Sequence, residues 1–200
     1  MVRGRFSALL VAIVFAIAFA AAPAHAQMKL VKPAGGFPVK ITKSGSYILD
    51  ANLLVGVILP DAIKVSVSNV SINLNGFAII GPAAGSGMGV DAVGQNNVTV
   101  TNGTITGMGG AGISTGNNGT VQNVRIIANG VGASGGDGVA CGTGCLISGS
   151  VIAGNASGDA ISVTDATSGY LNNIITGNLA TVVGGTNMGG NICNGTATCP

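Results

Sequence analysis

A short motif returns along most of this chain, and its period excludes most folds before any other feature is considered. The relevant stretches are Asn75-Gly-Phe-Ala-Ile79-Ile-Gly81, Asn102-Gly-Thr-Ile105-Thr-Gly107, Asn123-Val-Arg-Ile126-Ile-Ala-Asn129, Gly149-Ser-Val-Ile152-Ala-Gly-Asn155 and Asn172-Asn-Ile-Ile175-Thr-Gly-Asn178. The isoleucine stands at 79, 105, 126, 152 and 175, so the steps are 26, 21, 26 and 23 residues, with a mean of 24. A second apolar register, Val90, Ile113, Val139 and Ile161, lies 13 to 15 residues ahead of the last four of these, and Val182 opens a further, incomplete turn.

Two short β-branched segments per period, separated by Gly, Asn, Ser and Thr, are strand and turn chemistry. In Val98-Thr-Val100-Thr the apolar residues alternate with hydroxyls, as on a strand with one buried face. About 24 residues cannot hold the strand, helix and turns of a βαβ unit, and no segment carries an apolar stripe of 3.6-residue period. Each period is therefore expected to be one coil of an all-β solenoid, its strands pairing in parallel with the same strands one coil above and below. The 35 glycines then have a cause, because each coil must turn sharply two or three times.

Asn75, Asn102, Asn123 and Asn172 share one phase of the coil, and Asn129, Asn155 and Asn178 share another. Stacked Asn side chains can hydrogen-bond along the axis and satisfy turn backbone. The six Asn-x-Ser/Thr triplets, Asn97-Val-Thr and Asn194-Gly-Thr among them, read as turn residues of this repeat rather than as glycosylation acceptors.

Residues 1–26 have the form of a secretory leader: Arg3 and Arg5, an apolar run from Ala8 to Ala22, and the small-x-small site Ala24-His25-Ala26. The run of about 15 residues is short of the roughly 20 needed to span a bilayer. His25 is the single His and would leave with the leader, so the chain from Gln27 has no His, Glu or Trp. Its cations are Lys29, Lys32, Lys40, Lys43, Lys64 and Arg125 and its anions are Asp50, Asp61, Asp91, Asp137, Asp159 and Asp165, so 6 minus 6 leaves no net charge. Electrostatic capture of nucleic acid or anionic lipid is excluded on that balance, and no membrane partner is expected once the leader is removed. Five of the six cations precede residue 65, which marks a locally basic N-terminal cap. Four Cys in an exported chain favour oxidation, and Cys141 with Cys145 and Cys193 with Cys199 form the simplest of three connectivities.

The turn Ser44-Gly-Ser-Tyr-Ile-Leu, the run Val70-Ser-Ile-Asn-Leu-Asn-Gly-Phe-Ala-Ile-Ile-Gly81 and the repeats after it resemble the right-handed parallel β-helix repeat proteins of the pectate-lyase-like superfamily, over about residues 40–192. The resemblance implies a single-stranded right-handed parallel β-helix of about six coils. The expected organisation is a leader over 1–26, an N-terminal cap over 27–56, the helix over 57–192 and a C-terminal disulfide loop over 193–200. That superfamily includes polysaccharide lyases, hydrolases, carbohydrate-binding modules and secreted proteins without assigned activity.

Lyases and hydrolases of the superfamily use paired Asp groups, or an Arg or Lys base with calcium held by acidic residues. Arg125 reads as the only cation of the repeat region and lies one position before the Ile126 anchor, so alternation points it outward. By phase, none of Asp91, Asp137 and Asp165 shares its face. Asp137 and Asp159 each lie two residues before an anchor, Val139 or Ile161, and should stack in successive coils. Two carboxylates about 4.8 Å apart repel by roughly 3.5 kcal/mol at an effective dielectric of about 20 and by about 0.9 kcal/mol in water. A buried pair would keep one proton or bind a cation; an exposed pair in a turn would simply be tolerated, and the flanking Gly136, Gly138 and Gly158 favour the turn.

Thr99, Thr101, Thr104 and Thr106 do not make a stacked ice-binding array, because Ala78, Arg125, Val151 and Ile174 hold the phase of Thr104 in the other coils. Gly135-Gly136-Asp137-Gly138 lacks the repeat of a calcium-binding nonapeptide. The expected function is a secreted or periplasmic, non-catalytic structural or surface-binding module with polysaccharide as its partner and no cofactor. The alternative is a small polysaccharide lyase or glycoside hydrolase using Asp137 and Asp159, with calcium as its cofactor.

Overall fold

The computed structural model describes residues 27–30, 34, 36–56, 58, 60–132 and 136–200; the leader expected over 1–26 lies outside the described residues. The described residues hold twenty strands, from Met28–Leu30 to Ile192–Cys193, and no helix. Their pairings are parallel throughout, in a thirteen-stranded and a seven-stranded sheet, and form a β-solenoid of about six turns.

The two apolar registers are two vertical stacks. Leu53, Ile79, Ile105, Ile126, Ile152, Ile175 and Cys193 pair one above another on the larger sheet. Val39, Ile63, Val90, Ile113, Val139, Ile161 and Val182 do so on the smaller one. The members of both stacks are buried, and they meet in one continuous core.

Each coil has three strand segments where the apolar pattern suggests two. The third is carried by Tyr47, Ile72, Val100, Val121, Ile147 and Tyr170, a stack that also faces the core. It merges with the isoleucine segment in the strands Val98–Thr106 and Thr120–Ile127, which turn a corner without leaving the sheet. The corner needs one residue in the left-handed region, and Asn102 (φ 59°), Asn123 (φ 55°), Gly149 (φ 59°) and Asn172 (φ 54°) supply it in successive coils. Gly149 fits that stack for a second reason: a Cβ there would lie 2.6 Å from Asn123 Oδ1.

The other Asn phase is an internal ladder. Asn129 Nδ2 donates to Asn155 Oδ1 (3.2 Å) and to the Ile105 carbonyl (3.1 Å), and the Asn129 N–H donates to the same Oδ1 (3.0 Å). Asn155 repeats the pattern on Asn178 Oδ1, by Nδ2 at 2.8 Å and by its N–H at 3.0 Å, and Met108 N–H donates to Asn129 Oδ1 (3.1 Å) at the top. A second ladder runs down the neighbouring corner, where Val124 N–H donates to Ser150 Oγ (3.2 Å), Ser150 N–H to Asn173 Oδ1 (3.0 Å) and Asn173 N–H to Asn191 Oδ1 (2.9 Å).

Asn155 is fully buried and serves both neighbouring coils. Asn155→Ala removes the acceptor of two donors and the donor to the Ile126 carbonyl. The expected cost is about 2 to 4 kcal/mol, seen as a lower urea midpoint at unchanged m-value; an unchanged midpoint would show that water replaces the ladder.

Candidate functional site

Four of the six carboxylates, Asp61, Asp91, Asp137 and Asp159, gather on the seven-stranded sheet. One residue after each inward anchor, the side chain faces outward, and the resulting column is Lys40, Lys64, Asp91, Ser114, Ala140 and Ser162. Two residues before the anchor, where the chain enters the strand, stand Asp61, Asp137 and Asp159.

The structure brings Asp137 and Asp159 together as neighbours in successive coils, in the register set by Val139 and Ile161. Asp137 Oδ1 accepts the Asp159 backbone N–H at 2.9 Å. Burial raises the Asp137 pKa and the Asp159 charge adds to the rise, while the Asp159 N–H and the Ser162 hydroxyl oppose it. Both residues are half-buried. Beside Ser162 a recess of 330 Å³ runs past Ser114, Thr115, Ala140 and Thr164.

Asp61 repeats the device three coils earlier: its Oδ1 accepts the Met88 N–H at 2.9 Å. Burial raises the Asp61 pKa against the pull of that N–H, and a hydrogen bond to Asp91 and the Asp91 charge raise it further. Burial acts on Asp91 in the same sense, but Lys64, the Val93 N–H and Asp61 together outweigh it and hold Asp91 below the usual carboxylate range. The two carboxyls are thus pushed in opposite directions, Asp61 up and Asp91 down, with the Lys64 ammonium paired to Asp91. Asp91 is 7% exposed.

This cluster corrects the sequence reading of the cations. Lys64 belongs to the solenoid, on the strand Ile63–Val65, so Arg125 is not the only cation there. The signal was available: Lys64 and Asp91 each follow an anchor by one position, in consecutive coils. Arg125 is exposed and makes no ion pair among the described residues. The cysteines pair locally, Cys141 with Cys145 and Cys193 with Cys199, at Cα separations of 6.4 and 5.3 Å. No group of three or more metal-ligating side chains occurs among the described residues.

The thirteen-stranded sheet carries a different surface. Ser46, Ser71 and Thr99 pair in one outward column, which Thr120 continues, and with Asn69, Asn97 and Met28 they line an open groove of 570 Å³. Among the described residues no charged side chain lines it.

No family model matches the chain, and neither does any curated protein or any solved structure.

The two carboxyls of the cluster titrate with opposite consequences. The raised Asp61 pKa contributes stability that is present below the ordinary carboxylate pKa and fades as pH rises through the raised value. The lowered Asp91 pKa contributes stability that is present above the ordinary pKa and is lost as pH falls through the depressed value. Asp61→Asn keeps an acceptor for Met88 and a donor for Asp91 without the titration, so its stability relative to the parent should grow as pH rises. Asp91→Asn should show its largest deficit near neutrality and little in acid. Urea midpoints across about pH 3 to 8 check both signs.

Proposed function

We propose that the chain is an exported, non-catalytic member of the right-handed parallel β-helix proteins of the pectate-lyase-like superfamily, serving as a structural or surface-binding module that contacts polysaccharide. The observation that carries the non-catalytic reading is the occupation of the carboxylates. Asp61 holds Met88 N–H, Asp91 holds Val93 N–H and Lys64, Asp137 holds Asp159 N–H and Ser162, and Asp165 holds Thr167 through both its N–H and its hydroxyl. A general acid or nucleophile must reach substrate with a free oxygen in hydrogen-bond range. Asp159 has a carboxylate without such a bond and Asp165 uses Oδ1 alone, but neither has a second free acid beside it, since the neighbour of Asp159 is engaged at the coil-to-coil contact.

No imidazole or Glu follows Gln27 to activate the many Ser and Thr hydroxyls. Export is supported by the leader-like segment at 1–26 and by the two disulfides, which persist in oxidising compartments.

Incubation with neutral and uronic-acid polysaccharides, with and without calcium, should release no new reducing ends and no unsaturated products. The Asp137→Asn, Asp159→Asn double variant should behave as the parent does. Turnover by the parent that the double variant loses would establish the lyase or hydrolase in its place.

A further inference from the structure

The groove on the thirteen-stranded sheet presents free hydrogen-bonding groups that are uncharged. The hydroxyls of Ser46, Ser71 and Thr99 make no hydrogen bond to the described residues. They are half-buried, so the groove walls limit the directions from which a partner can reach them. On the rim, Asn97 Nδ2 donates to Asn69 Oδ1 at 2.8 Å, which fixes both amides and leaves Asn69 Nδ2 and Asn97 Oδ1 as an unused donor and acceptor. Met28, 41% exposed, adds an apolar wall at one end. The adjacent Lys29 is neutralised by Asp50 at 3.3 Å.

Resting on the surface-binding reading, we propose that this groove is the binding site, and that it takes an uncharged, linear polysaccharide lying along the solenoid axis. Three features select that class. The hydroxyls repeat once per coil at about 4.8 Å, so their natural partner is a polymer that presents hydroxyls at short, regular intervals. Each hydroxyl is both donor and acceptor, as sugar hydroxyls are, and the free amide groups add one of each. The absence of lining charge among the described residues gives a uronic-acid chain no counter-ion and an anionic polymer no advantage. A peptide strand is excluded by position, because strands on both sides already occupy the backbone edges of the segments that carry Ser71 and Thr99.

Affinity electrophoresis of the exported protein in gels containing hydroxyethylcellulose, xyloglucan or polygalacturonate tests the assignment, with the Ser71→Ala, Thr99→Val double variant and a Thr101→Val control. Thr101 is on the same strand and outside the groove. Each lost hydrogen bond is worth about 0.5 to 1.5 kcal/mol, so the double variant should weaken retardation by a neutral polymer about 5- to 140-fold, while Thr101→Val does not. Retardation by polygalacturonate should be absent. Equal retardation of the parent and the double variant would overturn the groove and leave the surface-binding reading to another face. Retardation by polygalacturonate alone, falling with salt, would overturn the neutral class. No retardation by any of the three would overturn the groove and weaken the surface-binding reading with it.

Discussion

The whole structure depends on closing polar backbone inside a coil. A strand solves this problem along its length, because each N–H and C=O finds the coil above or below. A corner does not, since the chain changes direction and its peptide groups rotate out of the ladder while still facing the core. Buried peptide groups without partners cost about 1 to 3 kcal/mol each, and a solenoid repeats that cost in every coil. Asn answers it twice over: as a backbone that tolerates left-handed φ at Asn102, Asn123 and Asn172, and as a side chain that reaches the next coil at Asn129, Asn155 and Asn178. Ser150, Asn173 and Asn191 meet the same need at the neighbouring corner.

The carboxylates follow from the same requirement. Asp61 and Asp137 stand where the chain enters the seven-stranded sheet, and each accepts an N–H from the coil that follows. In this position Asp does what Asn does at the other corners, and its charge is incidental to the hydrogen bond. That explains why burial can raise both pKa values without disturbing the fold: the protonated form keeps an acceptor oxygen for the same N–H. In the stacked pair Asp137 thus serves as a backbone cap, and Asp159 supplies the N–H that it caps.

Much of this was legible in the sequence because a solenoid turns spacing into position. The isoleucines at 79, 105, 126, 152 and 175 form one vertical stack, and the Asn129, Asn155 and Asn178 phase forms one ladder. The third strand segment was hidden by its own corner, because one left-handed Asn lets the two segments run together without a loop to mark the join. The ladder through Asn173 was hidden by substitution, since Val124 and Ser150 hold its phase in the preceding coils and break the visible repeat. Lys64 and Asp91 are hard to see as a pair because Lys64 falls among the basic N-terminal residues, and only its distance from an anchor sets it apart from them. The uncharged groove leaves almost no sequence signal, because Ser46, Ser71, Thr99 and Thr120 lie 25, 28 and 21 residues apart and look like ordinary strand hydroxyls.

The uneven coil length has a location, and the location says which surfaces are held in register. From the inward residue before the Asn corner to the isoleucine after it the spacing is 5 residues in four coils: Val100 to Ile105, Val121 to Ile126, Ile147 to Ile152 and Tyr170 to Ile175. From that isoleucine to the next anchor of the seven-stranded sheet it is 11, 8, 13, 9 and 7 residues, ending at Val90, Ile113, Val139, Ile161 and Val182. From the anchor onward to the next inward residue it is 10, 8, 8 and 9 residues, to Val100, Val121, Ile147 and Tyr170. Most of the insertion therefore enters at one corner, where backbone packs on backbone: a Cβ at Gly132 would fall 2.8 Å from the Gly109 carbonyl oxygen. Gly132 N–H donates to that same oxygen at 2.9 Å, so the described part of the longest insertion keeps axial hydrogen bonds. The Asn corner is held at 5 residues only from Val100 onward, for in the two coils before it Tyr47 to Leu53 is 6 residues and Ile72 to Ile79 is 7. The groove hydroxyls keep their coil-to-coil spacing through the strand ladder itself, because Ser46, Ser71 and Thr99 each stand one residue before an inward member of the third stack and pair with one another in parallel register, on the near side of the corners where the length changes enter.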